Sequence, residues 1–397
     1  MNADNSVSPL QVETSAVLAR DPRTVAFAFD VDGVLLRSKQ PLPGAAETIA
    51  TLQRRGIPFI FLTNGGGLTE ADHAARLGSR LSLEIDEAQF VQSHSPFRDL
   101  VPLYHDKLVV ALGGHGQQIR QLAHAYGFRH VLTSADIAAC EADMHPFPEM
   151  TEAHHSEHGR PGAVRLAKKE TDGRVKAILV FSSPRDWCLD LQVISDLLLS
   201  RGGEIGTRSP LNGRADLPNA GYLQDGQPEL YFCNPDVEWA TAYAAPRLAQ
   251  GSFRMALEGV WAGVTRGQSI LKYTICGKPT GTTYRWGEKA LRAYHDKTST
   301  GPQTGEGDSS TIQPAPRIST VYMIGDNPAS DIRGASSFVS EEGLDWKSVL
   351  VETGVYQPGT VPDPAPTLMA KDVKEAVMLA LQREGVQLGP AVLCRGQ

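Results

Sequence analysis

The chain is poor in the features that mark secreted, membrane-spanning and nucleic-acid-binding proteins. Its 397 residues include five cysteines, at 140, 188, 233, 276 and 394, and no two stand in C-x-x-C spacing. Neither a zinc site nor a disulfide framework is signalled, so reduced thiols and an intracellular, cytoplasmic location are expected. No apolar run approaches the ~20 residues that cross a bilayer, so an integral membrane protein is not expected. Positive charge is in deficit: 38 Lys and Arg against 45 Asp and Glu leave a formal charge of -7. That disfavours a general nucleic-acid or anionic-membrane role while allowing a local basic pocket for a phosphorylated ligand. The first 21 residues hold one basic residue, Arg20. They lack both the apolar core of a secretion signal and the Arg-rich character of a transit peptide, and residues 1–22 read as a flexible tail.

What the chain does contain suits a folded protein. Hydrophobic residues make up 41% and charged residues 21%, a globular balance, and the length allows two domains or one with a large insertion. Near the start, Val25-Ala-Phe-Ala-Phe-Asp30-Val-Asp32-Gly-Val-Leu reads as a buried strand ending in two acids. Open α/β sheets hold their ligands beyond the carboxyl ends of the strands. Two carboxylates there repel each other unless they share a proton or a cation. A hard ion such as Mg²⁺ with a phosphate beside it meets that need; an Asp-Gly turn that closes a strand is the alternative.

The rest of the chain divides on its periodicity. After the acidic loop, Ala45, Ile49 and Leu52 fall at helical spacing, with Arg54 and Arg55 in the last turn and Gly56 as a stop. A second strand over 57–62 then runs into Thr63-Asn64-Gly65-Gly66-Gly67. Strand, helix and strand with short connections make a right-handed parallel crossover. Residues 96–261 carry their own α/β rhythm, with strands expected at 108–112, 177–181 and 230–233, and read as an inserted domain. The first sheet is expected to resume at 273–278 and to continue at 321–324 and 349–351, with a closing helix over 371–384. The organisation is therefore a core of 23–95 and 262–397 around an insert of 96–261. Two polar stretches, 151–173 and 298–316, read as surface insertions. The first holds His154, His155 and His158, which read as solvated rather than metal-binding because nothing flanking them suggests a rigid scaffold.

Four sites stand at or just past the end of an apolar run: Asp30/Asp32, Thr63-Asn64, Lys278, and Asp326 with Asp331. Each has an ordinary explanation as a cap, a turn or a surface lysine. Taken together they suit one reaction, phosphoryl transfer, provided they share one sheet edge. A phosphate monoester is a dianion, so an anionic nucleophile approaches it only when charge is neutralised. Mg²⁺ held by Asp30, Asp32 and Asp326 does this. Asp30 then attacks phosphorus to give an aspartyl-phosphate, and Asp32 protonates the leaving oxygen and later deprotonates water. Thr63, a backbone N–H near Asn64 and Lys278 bind the transferring group, and Asp331 holds the lysine or a metal-bound water.

These residues resemble the four motifs of the haloacid dehalogenase (HAD) superfamily. Asp30-Val-Asp32-Gly-Val-Leu is similar to the first, Leu62-Thr63-Asn64 to the second, Gly277-Lys278-Pro279 to the third and Gly325-Asp326-Asn-Pro-Ala-Ser-Asp331 to the fourth. The resemblance implies a Rossmann-like α/β core with a parallel sheet and an inserted α/β cap of the class IIA type. Gly277-Lys-Pro-Thr, Asp331-Ile-Arg-Gly-Ala and Thr353-Gly-Val-Tyr resemble subclass IIA, the nucleotide- and glycolate-phosphate phosphatases. Ser93-His-Ser-Pro96, Ser182-Ser-Pro-Arg-Asp-Trp187 and Asn234-Pro-Asp236-Val-Glu-Trp239 look similar to the branch of the cat eye syndrome critical region protein 5. That branch implies a mitochondrial location as the alternative to the cytoplasm, and the subclass implies a possible homodimer.

The expected activity is Mg²⁺-dependent hydrolysis of a small phosphorylated metabolite, since a large cap closes over a small substrate. Asn234 and Asp236 are cap candidates for substrate contact, with strand-end turn residues as the alternative. Gly65, Gly66 and Gly67 depart from the subclass pattern. They read either as a phosphate cradle of bare N–H groups or as a plain flexible turn. A non-catalytic binding protein that keeps the fold is the competing class, although no carboxylate of the set is missing.

Overall fold

The computed structural model describes residues 20–145, 151–243, 245–299 and 316–386. Most of the expected N-terminal tail, most of the stretch 298–316, and Cys394 lie outside them.

Six parallel strands form one sheet, in the order Leu368–Ala370, Asp345–Val351, Thr320–Gly325, Val25–Phe29, Phe59–Thr63, Phe90–Gln92. Side chains alternate across a strand, and here both faces are covered. Val25, Phe27 and Phe29 pack with Ile49, Leu52 and Val377 on one side. Ala26 and Ala28 pack with Tyr284 and Leu291 on the other. Burial on both faces explains why Val25–Phe29 is continuously apolar rather than alternating. Helices Ala45–Arg55 and Val373–Arg383 form where their apolar spacing places them, the first ending on Gly56 at φ +62.

A second parallel sheet has the order Thr274–Ile275, Glu229–Phe232, Val175–Val180, Leu108–Leu112, His130–Leu132. Its presence agrees with the inserted α/β unit, and the molecule is α/β with two parallel sheets. One expectation is corrected here. Residues 274–275 do not resume the first sheet; they pair with Tyr231 and Phe232 in the second, past the expected break at 261. A two-residue strand carries too little pattern to reveal which of two apolar sheets it joins.

The reading of 151–173 as a solvated loop is also corrected. It forms helices Glu152–His158 and Ala163–Glu170. His155 is buried, with Nε2 3.0 Å from Asp186 Oδ2. Asp186 in turn caps the helix Trp187–Leu199 by accepting from the Leu189 N–H. Burying one helix face withdraws His155 from solvent, while His154 and His158 pack edge-on against His115. The ring nitrogens of His145 and His155 and a carboxylate oxygen of Asp186 lie within 4.8 Å of one another, a compact polar knot that ties this corner of the second unit together.

The same helix holds a group that makes the fold sensitive to pH. Asp190 is buried and its Oδ1 has no hydrogen-bond partner. Burial, with the Asp186 charge adding to it, pushes its carboxyl up to about 7. In the unfolded chain the group ionises near 3.8, so the folded state holds the proton across the interval between. Its contribution is therefore full below about pH 4 and declines as pH rises toward 7. Asp190→Asn is expected to raise the melting temperature at pH 8 and to leave it almost unchanged at pH 4. Such a shift corresponds to an upper bound of about 4 kcal/mol. Calorimetry at the two pH values checks this, and an equal effect at both would contradict it.

Candidate active site

The register of the first sheet assembles the site. Phe29 lies opposite Ile324 on one side and Phe61 on the other, so the residues that follow, Asp30, Asp326 and Thr63-Asn64, emerge on one edge. The strand order reverses direction between Val25–Phe29 and Thr320–Gly325, and a crevice opens at such a switch point. Carboxylate oxygens of Asp30, Asp326 and Asp331 come within 4.8 Å of one another. The Asp32 carboxylate stands outside that trio, on the side where a Cβ at Gly65 would come within 3.8 Å of its Oδ2.

Lys278 arrives from elsewhere. It follows the edge strand of the second sheet, so the four segments converge without sharing one sheet edge, contrary to expectation. Its ammonium lies 2.9 Å from Asp30 Oδ1 and 2.6 Å from Asp331 Oδ1, almost fully buried. Burial alone would lower its pKa, but the charges of Asp30 and Asp331 outweigh that and raise it. Lys278 is therefore a fixed cation.

One lysine does not balance the acids around it. Burial, then the charges of Asp30 and Asp331, hold the Asp326 carboxyl well above its ordinary range. Asp331 is raised to about 6 by burial, with Lys278 opposing. Asp32 is raised to about 7 by burial and the Asp30 charge, with Arg80, Arg76 and Lys278 opposing. Asp30 Oδ1, although beside the ammonium, accepts no well-aligned hydrogen bond. Three clustered hard oxygen donors with excess negative charge fit a small divalent cation such as Mg²⁺.

The space around Asp326 is shaped by glycine. A Cβ at Gly354 would fall 1.7 Å from Asp326 Oδ2, and one at Gly33, where φ is +86, would fall 2.3 Å from it. The carboxylate accepts from the Val355 N–H at 2.7 Å. Asp331 is fixed by the Asn327 N–H at 3.0 Å.

Thr63, Asn64 and the glycines form a pinned turn. Thr63 Oγ1 accepts from the Gly65 N–H at 3.0 Å. The Gly67 N–H donates to His94 Nε2 at 3.0 Å. With two of the three glycine N–H groups so occupied, neither a bare cradle nor a loose turn describes the segment. A Cβ at Gly66 would fall 2.6 Å from the His94 ring, so glycine here admits that ring. His94 is kept neutral by burial, its pKa lowered to about 3. Because Nε2 accepts, Nδ1 donates to the Tyr126 hydroxyl at 2.7 Å, and Tyr126 donates to Glu70 at 2.7 Å. Residue pattern alone does not reveal this relay, since its bonded members lie 32 and 56 positions apart.

Asn64 joins the two units. Its Nδ2 donates to Asp236 Oδ2 and to the Lys278 carbonyl, each at 3.0 Å, and its Oδ1 accepts from the Lys278 N–H at 2.7 Å. Asn234 Nδ2 donates to the Asn64 carbonyl at 2.9 Å. Asn234 and Asp236 thus line the cavity, as expected of substrate contacts, but both side chains are engaged with Asn64, and Asn234 Oδ1 also accepts from the Asp236 N–H at 2.8 Å. Burial raises the Asp236 carboxyl to about 7. A further bridge runs from the Ala242 N–H to Ser38 Oγ at 2.8 Å. Between the units lies a cavity of about 410 Å³ that reaches Asp30, Asp32, Thr63 and Asp326, a volume suited to a small molecule.

Comparison with known proteins gives a consistent answer. Residues 27–129 match the haloacid dehalogenase-like hydrolase family and residues 275–376 a second HAD-hydrolase-like family. A mitochondrial hydrolase of Saccharomyces cerevisiae is 35% identical over 372 residues, covering 91% of this chain and 96% of that protein. A cardiolipin synthase (CMP-forming)/mitochondrial hydrolase fusion protein of Schizosaccharomyces pombe is 34% identical over 362 residues, 90% of this chain and 53% of the relative. Among solved structures, the 4-nitrophenylphosphatase of Thermotoga maritima superposes with a TM-score of 0.53 at 16% identity, covering 90% and 98% of the two chains; that likeness concerns the fold.

Proposed function

The chain belongs to the haloacid dehalogenase-like hydrolases, and from that premise we propose that it is a Mg²⁺-dependent phosphatase of a small phosphorylated metabolite. The observation that carries this reading is the convergence of Asp30, Asp326 and Asp331 around one point beside the buried Lys278. Asp30 and Asp326 would hold the ion, with Asp32 contributing from the same loop and Asp331 from behind Lys278. When bound, Mg²⁺ supplies charge neutralisation for a dianionic phosphoryl group.

The remaining work falls to side chains. Asp30 attacks phosphorus, forming a P–O bond to its carboxylate as the bond to the leaving oxygen breaks. Asp32 gives its proton to that oxygen, which departs as the alcohol. Water then attacks the aspartyl-phosphate, passing its proton to Asp32, and the P–O bond to Asp30 breaks to release inorganic phosphate. Thr63 Oγ1 and Lys278 Nζ orient and neutralise the transferring group. Asn64, tied to Lys278 and to Asn234 and Asp236, keeps the two units in register around the site.

The names of the two relatives described above favour mitochondria over cytoplasm for this chain. The fusion with a phospholipid-forming enzyme favours a metabolite of that chemistry. No helix among the described residues is long and apolar enough to cross a membrane.

The test is direct. Hydrolysis of 4-nitrophenyl phosphate should require Mg²⁺, vanish with EDTA and return when Mg²⁺ is restored in excess. Full turnover in EDTA would remove the reading.

A further inference from the structure

Near the acid that serves the leaving oxygen stands a cationic wall that the chemistry above does not use. The helix Glu70–Leu81 follows directly on the Thr63–Gly67 turn. It presents His73, Arg76, Leu77 and Arg80 to the cavity. Residues four apart share a helix face and stand about 6 Å apart along the axis. Lys39, from the hairpin after the acidic loop, and Arg185, from the second unit, line the same cavity. None of these four cations has a carboxylate partner within 4 Å among the described residues; Arg80 has only a long contact to the Ser38 carbonyl at 3.4 Å. Arg80 and Arg76 are also the cations that act most on Asp32, ahead of Lys278. Lys278 is committed to Asp30 and Asp331, whereas the two arginines share the cavity with Asp32, the acid assigned to the leaving oxygen.

Building on the phosphatase reading, we propose that Arg76 and Arg80 form a subsite for a second anionic group on the leaving alcohol. The substrate class is then a phosphomonoester whose alcohol carries a phosphate or a carboxylate a few bonds from the scissile oxygen. An uncharged alcohol leaves both guanidinium groups without a partner. An anionic one gains charge-assisted, potentially bidentate contacts. In a chain of charge -7, unpaired arginines at a cavity wall also draw a doubly anionic ligand past the surrounding acids. The competing role, simple neutralisation of the carboxylate cluster, makes a different prediction, because it would support every substrate equally.

A matched series separates the two. Propyl phosphate, 3-(phosphonooxy)propanoate and propane-1,3-diyl bisphosphate share a three-carbon leaving group whose far end is methyl, carboxylate or phosphate. The wild-type protein with Mg²⁺ is expected to favour at least one anionic member by 10-fold or more in kcat/KM, mainly through KM, and the preference should weaken as salt rises. Whichever anionic member leads identifies the second group as carboxylate or phosphate. In Arg76→Gln/Arg80→Gln the preference should fall to within about 3-fold, with Arg76→Lys/Arg80→Lys restoring part of it. Arg76 is exposed and Arg80 half-buried, and neither carries an ion pair among the described residues, so the variant is expected to fold, which a melting curve verifies. A wild-type ratio near one, or a ratio that survives the double substitution, overturns the subsite. So does a parallel loss on all three substrates, which assigns the arginines to charge neutralisation. Absence of Mg²⁺-dependent 4-nitrophenyl phosphate turnover identifies the phosphatase reading as the failed premise, and the subsite falls with it.

Discussion

Asp30→Asn is expected to lower Mg²⁺-dependent phosphatase turnover by at least about 1,000-fold, the scale seen when an enzyme's covalent nucleophile is removed. The amide is nearly isosteric with the carboxylate, so shape is retained while the attacking anion is lost. Lys278 keeps its 2.6 Å contact with Asp331, and the backbone of residue 30 keeps its hydrogen bond to the Ile324 carbonyl at 2.9 Å. The melting temperature should therefore hold steady or rise, since one of several crowded negative charges is gone. Acid quench of the wild type during turnover of a phosphate-labelled substrate should trap label on the protein, and the variant should trap none. Undiminished turnover in the variant would take Asp30 out of the nucleophile's role.

Replacing Lys278 by Met should have the largest effect on stability. The ammonium is about 1% exposed and touches two carboxylates. Removing one member of a buried charge cluster costs about 3–5 kcal/mol, because the remaining charges stay in a dry site without a counterion. Asp331, fully buried, bears most of the loss. Urea titration in EDTA should show this deficit, and Lys278→Met/Asp331→Asn should recover a large part of it. If the two changes simply add, the ion pair is not the source of the effect. Activity should fall in both variants, since the charge opposite the phosphoryl oxygens is gone.

Much of the core was legible because its chemistry and its periodicity coincide. Phe27 and Phe29 announce a strand buried on both faces, and the acids after them mark its carboxyl end. Asn234 and Asp236 show where local reading stops. Their Asn-Pro-Asp pattern suits a substrate contact or a turn equally, and Asn64, 170 and 172 positions away, engages both. The strand Thr274–Ile275 joins the second sheet rather than the first, a choice its two residues do not encode because they match either one. His155 is buried although its surroundings in sequence are polar, because polar composition conceals which helix face is covered.

The order of amino acids by itself determined the reactive set, since carboxylate, hydroxyl and ammonium groups keep their intrinsic chemistry wherever they lie. It also determined the existence of two α/β units, through apolar runs that can be satisfied only by burial. Distance was decided in three dimensions. Which three carboxylates meet, that Lys278 reaches them from the second sheet, that His94 occupies the space left by Gly66, and that Arg76 and Arg80 line one cavity with Asp32 all depend on strand order and helix packing. Those follow from the summed burial of many side chains, a quantity no local stretch of residues contains.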